Sequence, residues 1–385
     1  MIYIHIPFCR TFCTYCGFYS ELLCRGTRED KVLQPFCKAL ENEFAARKSE
    51  LQDGPDTLYI GGGTPSVLPF SVLQTLASLF MDEGRPHRFR EFTVEVNPED
   101  IVSGGQDYAE GLLSLGVNRI SMGVQSYDDG ILRWMNRRHT AGGAVEAYRI
   151  LRRAGVENIS LDLIFGVPGM GHGLWKETLG RILDLPGGMP EHISAYQLSV
   201  EPGSALEKMM ARGRCREVGD EECRLQYMTL CEVLGNAGYR HYEVSNFALP
   251  GYEAVHNSAY WSGEPYLGLG PGAHSFRIDG DRRTRSWNRP SVEAYLSAWL
   301  SCRDDAGADI METEELTREQ AALERIMLSL RTDTGLPEPE LLRLAMPGQV
   351  RKHLSAGTLT RLPDGNVRIP ESGFFISDSI IADIV

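Results

Sequence analysis

The chain reads as an α/β protein: an open, partial (β/α)6 barrel followed by a smaller α+β domain of winged-helix-like character. Two patterns predict this. Through the first two hundred residues, short apolar, β-branched runs alternate with helical patterns at about 30–40 residues per unit, the rhythm of parallel strands joined by helical crossovers. Beyond residue 317 the order changes to helices followed by a small hairpin. Six units fall short of the eight in a closed (β/α)8 barrel. A doubly wound sheet is the alternative that shares the same alternation.

In chain order, the strand-like runs are Ile2–Pro7, Thr57–Gly61, Phe92–Asn97, Arg119–Gln125, Ile159–Phe165 and Ile193–Val200. Between them, apolar residues three and four apart mark helices, as in Phe36/Leu40/Phe44 and Val72/Leu76/Leu79/Phe80. These elements form a barrel domain over residues 1–202. Residues 203–302 extend it, with a helix near Glu221–Asn236, a strand-like Tyr242–Phe247 and a Gly- and aromatic-rich stretch from His256 to Phe276. Residues 303–316, with Asp304, Asp305, Asp309, Glu312, Glu314 and Glu315, read as an acidic linker. In the last domain, 317–385, Thr317 and Gln320 are spaced as a capping box. A further helix near Pro339–Ala345 then leads to a hairpin turning at Pro363-Asp364-Gly365.

With 42% hydrophobic and 24% charged residues among 385, the composition is that of an ordinary globular protein. No apolar run approaches the ~18 residues that span a membrane. The first cysteine of the N-terminal cluster is already residue 9, so no secretory leader is expected and the cytoplasm is the expected location. The net charge of −13 has the wrong sign for a nucleic-acid binder. Arg133, Arg137 and Arg138 form a local basic patch suited to a small anion. Nine cysteines in such a chain argue against a disulfide framework. The six outside the first loop lack metal-ligand spacing, and core packing is expected for Cys223 and Cys231.

The chemistry concentrates at Cys9, Cys13 and Cys16, a C-x3-C-x2-C loop that follows the first strand. Three thiolates on one tight loop can hold three irons of a [4Fe–4S] cube and leave the fourth for a small molecule. A zinc site normally brings four ligands, and a disulfide pair with a spare thiol is a second alternative. His5 is a fourth ligand on paper only, because it falls inside the strand. The loop, with Tyr15 before its third cysteine, resembles the signature of radical S-adenosylmethionine (SAM) enzymes. The preceding Tyr3-Ile4-His5-Ile6-Pro7-Phe8 resembles the branch that holds oxygen-independent coproporphyrinogen III dehydrogenase and the HemW-type heme chaperones.

That resemblance implies further roles. Gly61-Gly62-Gly63-Thr64-Pro65 resembles the segment that receives the SAM amino group, and consecutive glycines let a backbone approach a ligand closely. Gly62, Gly63 and Thr64 are therefore assigned to the cofactor, with Tyr3 and Phe18 on the flanks of the thiol loop. Glu95 stands at the C-terminal end of the third strand, where barrel active sites collect, and the resemblance makes it the acceptor for ribose hydroxyls. Gln125 and Asp162 hold analogous positions on the next two strands, and Arg137 is placed to pair the SAM carboxylate. The implied chemistry is one-electron cleavage of a C–S bond of SAM, driven by a low-potential donor of flavodoxin or ferredoxin type. Whether SAM is cleaved in turnover is left open.

Two features choose within the branch. The coproporphyrinogen enzyme has a further cysteine where this chain has Phe18, which neither ligates nor transfers protons, so that activity is not expected. His256-Asn257-Ser258-Ala259-Tyr260-Trp261 reads HNxxYW and resembles the heme-binding signature of HemW-type proteins. A neutral imidazole is an ordinary axial ligand of heme iron, and Tyr260 and Trp261 offer flat apolar area. His274 is the second-ranked ligand. Pro168-Gly169-Met170-Gly171 departs from the family's usual Pro-Gly-Gln-Thr, which puts a cofactor contact there in doubt. The expected function is a heme chaperone that holds a [4Fe–4S] cluster, SAM and heme and passes heme to apo-hemoproteins, with a homodimer as the candidate assembly. The alternative is a radical enzyme acting on a tetrapyrrole, either the coproporphyrinogen dehydrogenase or a heme-opening methyltransferase.

Overall fold

The structure, a computed structural model, describes all residues except 24–26, 52–54, 83–84, 302–306 and 308. Cys24, Cys302 and the first residues of the expected acidic linker lie outside the described ones. Six parallel strands form the centre of the molecule: β1 (Ile2–Ile6), β2 (Thr57–Gly62), β3 (Glu91–Val96), β4 (Arg119–Gln125), β5 (Ile159–Phe165) and β6 (His192–Gln197). Three more strands extend the sheet: β7 (Arg240–Glu243), β8 (Asn246–Ala248) and β9 (Leu267–Leu269). The order across the sheet is β7-β8-β6-β5-β4-β3-β2-β1-β9. Strand β9 adds in parallel beside β1, while β8 and β7 add antiparallel beyond β6. Edges β7 and β9 are not paired with each other, so the sheet is curved but open.

Each crossover is a helix that covers the outer face. The main ones are α1 (Thr27–Arg47), α2 (Phe70–Ser78), α3 (Pro98–Ser114), α4 (Asp129–Trp134), α5 (Ala141–Arg153) and α6 (His172–Leu183). Ile120, Met122 and Val124 of β4 are fully buried beneath them, as are Phe92, Val94 and Val96 of β3. The alternate residues of the same strands are polar and face the concave side, since successive side chains of a strand point to opposite faces. Beyond β6, α7 (Ala205–Ala211) and α8 (Asp220–Asn236) precede β7, and α9 (Val255–Ser262) lies between β8 and β9.

Two expectations need correction. Tyr242–Phe247 is not one strand: it runs from the end of β7 through a tight turn at Val244 and Ser245 into β8. The buried Glu243 carboxylate accepts the backbone N–H of Ser245 and the side-chain amide of Asn246, which stabilises the reversal. The acidic segment is not a linker throughout. Met311–Glu315 forms a strand in an antiparallel sheet with His274–Asp279 and Arg282–Asn288. Glu315 is paired with Arg282 of the neighbouring strand at 2.8 Å and Glu314 stands opposite Arg285 in the register, so cross-strand opposite charges offset like-charge repulsion.

The C-terminal unit has three helices, α11 (Arg318–Leu330), α12 (Glu338–Leu344) and α13 (Pro347–Ala356), and closes with α14 (Ser377–Ile384); α10 (Val292–Trp299) precedes it on α1. The Thr317/Gln320 capping box is formed. Three short strands, Leu336–Pro337, Thr360–Arg361 and Asn366–Arg368, make the small sheet, with the turn at Pro363-Asp364-Gly365 between the last two. The unit docks on β7 through Arg240 to Asp333 at 2.6 Å and His241 to Glu371 at 2.9 Å. No helix among the described residues is long and apolar enough to cross a membrane.

One buried carboxylate ties the first crossover to the far edge of the sheet. Glu43 of α1 accepts from Arg47 (2.8 Å), Asn288 (2.7 Å), the Tyr295 hydroxyl (2.6 Å) and the Gly270 N–H (2.9 Å). Removing it leaves the Asn288, Tyr295 and Gly270 donors unmatched in the interior, while Arg47 loses one of its two carboxylate partners and keeps Glu50. Glu43→Ala is therefore expected to cost about 3–5 kcal/mol, read as a lower urea midpoint; an unchanged midpoint would show that water takes over the carboxylate's role.

Candidate metal and cofactor site

The concave side of the sheet encloses a cavity of about 880 Å³. Its wall follows from strand parity: Tyr59 on β2, Glu95 on β3, Arg119, Ser121, Gly123 and Gln125 on β4, Asp162 on β5, and Ser194 and Tyr196 on β6 all line it. At the C-terminal ends of the strands stand Cys9, Cys13 and Cys16 together with Tyr15 and Phe18. Asn257 of α9 also lines the cavity.

The thiol loop is held from several sides. Gly63 N–H donates to Ile6 C=O at 2.7 Å and Thr64 N–H to Phe8 C=O at 2.9 Å. Thr14 donates through its N–H to Met135 C=O and through its hydroxyl to Trp134 C=O, and Asn136 Nδ2 donates to Phe12 C=O at 2.7 Å. Cys9 Sγ lies 3.5 Å from Thr64 Oγ1, and an Arg137 N–H reaches Cys13 Sγ at 3.4 Å. Burial pushes the Cys9 thiol up and the Cys16 thiol to about 11, with Arg137 pulling the other way. The three sulfurs stand wider apart than chelation of one ion requires. Among the described residues, the set of three candidate ligands that does converge within 4.8 Å is Cys231, His241 and Glu371. Three well-spaced thiols on one loop, beside a cation and facing one cavity, fit a cluster rather than a lone zinc.

The residues expected to surround the cofactor meet here with one exception. Gly62, Gly63, Thr64, Glu95, Gln125, Arg137, Asp162 and Phe18 all line the cavity. A Cβ on Gly63 would stand 2.8 Å from Phe8 O and 2.9 Å from Ile6 O, so only glycine fits there. Glu95 accepts from the Tyr59 hydroxyl at 2.7 Å and the Gly62 N–H at 3.0 Å. Burial pushes its pKa to about 7 and that of Asp162 to about 6, against the pull of these donors and of Arg119. Asp162 accepts from the Ser121 hydroxyl at 3.1 Å. Arg137 is anchored, donating to Asn97 Oδ1 at 2.6 Å and Gly123 C=O at 2.7 Å, while its buried Nε has no partner. Gln125 and Asn136, with φ of 66° and 58°, are the two non-glycine residues in left-handed conformation among those described, and both line the cavity. Such strain collects at functional sites. The exception is Tyr3, which stays out of the lining and donates to His5 Nδ1 at 2.9 Å, so it orients His5 instead.

The HNxxYW segment does not form one flat face. It folds as α9 at the opposite end of the strands, with the Val255 and His256 N–H groups donated to Glu91, the first residue of β3. His256 is 1% exposed; its Nδ1 meets Thr57 Oγ1 at 2.8 Å and its Nε2 meets the Tyr260 hydroxyl at 3.1 Å. Both ring nitrogens are engaged, so in this arrangement His256 has none for an iron. Tyr260 packs edge-on against Tyr266, and Trp261 is half-buried outside the cavity. The Pro168–Gly171 turn packs on α8, where Gln226 Nε2 donates to Met170 C=O at 2.9 Å.

Sequence reasoning passed over Tyr59, Arg119, Ser121, Ser194 and Tyr196. The signal was there: Arg119-Ile-Ser121-Met-Gly123-Val-Gln125 alternates polar and apolar residues, the pattern of a strand with one wet face.

An open α/β barrel with a three-thiol loop at its mouth defines a radical SAM protein, and the sequence model of the Radical SAM superfamily matches residues 3–182. A protein of Bacillus subtilis named heme chaperone HemW is 34% identical over 87% of this chain and 84% of its own length. The bovine mitochondrial radical S-adenosyl methionine domain-containing protein 1 is 31% identical over 100% of this chain and 87% of its own. In structure, coproporphyrinogen III oxidase (HemN) from Escherichia coli superposes with a TM-score of 0.79 over 99% of this chain and 89% of that one, at 21% identity. The chain belongs to the radical SAM superfamily and, within it, to the HemW family. Membership brings a [4Fe–4S] cluster and SAM as its cofactors.

Gly63→Ala is expected to cut iron incorporated on anaerobic reconstitution to less than about a tenth of the parent's, because the backbone carbonyls it meets cannot move aside. Parent-like iron content would overturn the packing argument. Acid should also act through α9. An unfolded imidazole protonates below about 6.5, whereas burial holds His256 neutral down to about 3. The unfolded state then binds more protons, so stability falls as pH drops from about 6.5 toward 3. His256→Gln should lose about 3 kcal/mol less than the parent between pH 7 and pH 4, measured by urea unfolding at both.

Proposed function

We propose that this chain is a heme chaperone, which binds heme and passes it to apo-hemoproteins. The observation that carries the reading is kinship along nearly the whole chain with proteins named heme chaperone HemW. The geometry supports it. Phe18, at the position of the extra cysteine in the coproporphyrinogen enzyme, is 73% exposed at the cavity mouth and has no proton to give. With the exposed Phe12 it offers apolar area for a flat macrocycle. The axial ligand in this reading is His274. It is exposed, starts the strand after the Gly270–Ala273 loop, and stacks on Trp287 with ring centroids 5.6 Å apart.

At the mouth, Cys9, Cys13 and Cys16 would hold the cluster, and with SAM it supplies one-electron chemistry when bound. The chain's own residues position and shield. Gly62, Gly63 and Thr64 present backbone to the amino group, Glu95 accepts ribose hydroxyls, Gln125 and Asp162 flank the nucleoside, and Arg137 faces the carboxylate. This reading needs a flavodoxin- or ferredoxin-type donor and recipient apo-hemoproteins. A homodimer is the proposed assembly, and a cytoplasmic setting suits the unpaired cysteines.

Hemin added to the anaerobically reconstituted protein should give a Soret band. His274→Ala should weaken hemin binding at least about tenfold, while His256→Ala should leave it intact and lower stability. A folded His256→Ala that has lost hemin would reverse the ligand assignment, and no Soret change in the parent would end the chaperone reading. Coproporphyrinogen turnover with SAM and reductant would point to the enzymatic alternative instead. SAM affinity should rise with pH through about 7, because ribose hydroxyls favour ionised Glu95. Calorimetry of the parent and Glu95→Gln at pH 6 and 8 reads this, and the variant should show a flat profile.

A further inference from the structure

The inner end of the cavity holds a cation with nothing to hold. Arg119, at the start of β4, is 1% exposed and lines the cavity. Its buried Nε has no hydrogen-bond partner, and no carboxylate among the described residues is within ion-pairing distance. The neighbours are committed elsewhere. Glu91, its strongest electrostatic partner, receives the α9 backbone N–H groups and the Thr93 hydroxyl. Asp162 receives the Ser121 hydroxyl, and Glu95 receives the Tyr59 hydroxyl and the Gly62 N–H. The rest of this layer is hydrogen-bonded through: Ser160 to His192 at 2.7 Å, His192 to Tyr242 at 2.7 Å, and Thr57 to His256 at 2.8 Å. A buried guanidinium left unmatched in so well matched a layer is costly to the fold, and its planar donor edge suits a carboxylate.

We infer that the inner end of the lumen is a carboxylate-binding site, in which Arg119 grips a ligand that reaches past the cofactor level and Asn257 of α9 lines the same space. Arg119 and Gln125 lie six positions apart at the two ends of one strand, about 20 Å at strand rise, so a carboxylate at Arg119 does not compete for the groups at the mouth. Burial keeps Glu95 and Asp162 partly protonated near neutral pH, which softens their repulsion of an incoming anion. The site deepens the heme-chaperone reading where the carboxylate is a propionate of a tetrapyrrole that has entered the lumen beyond Phe18, and to that extent rests on it. A small organic acid offers the same group.

The test uses the reconstituted full chain. Calorimetry with succinate and with mesoporphyrin IX, as free acid and as dimethyl ester, should show the acid binding at least about tenfold more tightly than the ester. Arg119→Gln should erase that preference and Arg119→Lys keep part of it, with circular dichroism and cluster absorbance confirming the fold. Equal binding of acid and ester to the parent overturns the inference whether or not Arg119→Gln folds, and so does an undiminished preference in a folded Arg119→Gln or Arg119→Lys. Succinate binding that depends on Arg119 without hemin binding keeps the site and removes the tetrapyrrole. Hemin binding indifferent to Arg119 keeps the chaperone reading and removes the site.

Discussion

Parity is the constraint on which the rest of this molecule depends. A strand presents successive residues to opposite faces, and in β2 to β6 one parity is aliphatic or aromatic while the other carries Tyr59, Glu95, Arg119, Ser121, Asp162 and Ser194. The apolar set buries against the crossover helices and supplies the stability. The polar set cannot pack as closely and leaves a cavity. A one-residue slip in any register would exchange the two sets, so the hydrophobic core and the ligand-facing wall are specified by the same pairing.

Around that cavity stand, among the described residues, the two strained non-glycine positions and two arginines with an unmatched nitrogen. Gln125 and Asn136 adopt left-handed backbone, and Arg119 and Arg137 each keep a buried Nε without a partner. Glu95 and Asp162 sit where burial raises both pKa values. Each costs stability in the free protein, and the unmatched guanidinium nitrogens are of the kind that a carboxylate would satisfy. A protein that only stored structural metal would have no reason to keep a wall of this kind so far below its thiol loop.

Much of this was legible from sequence, for identifiable reasons. Arg119–Gln125 and Ile159–Phe165 are strands from end to end as expected, because their flanking turns are sharply marked. The thiol loop and the Gly61–Pro65 segment announce themselves by spacing that owes nothing to tertiary structure. The hydrogen bonds of His256 were not legible because its partners are distant: Thr57 lies 199 residues away in sequence, and no local pattern shows that both nitrogens are engaged. Met311–Glu315 was misjudged because acidic composition suggested solvent, while Arg282, which pairs with Glu315, belongs to the hairpin before it. Arg119 went unnoticed because a lone charge beginning an apolar strand looks like a boundary marker.

Helix α9 has a consequence for the order of events. Its backbone N–H groups are held by Glu91 and its His256 ring by Thr57, which fixes Asn257 in the wall at the inner end of the barrel. Were the thiol-loop end the route in, a guest at Arg119 would enter before a cofactor took the groups above it and leave after it. Residence time of a deep guest would then be governed by turnover of the molecule above it, so that affinity and release are set at different levels of the same shaft.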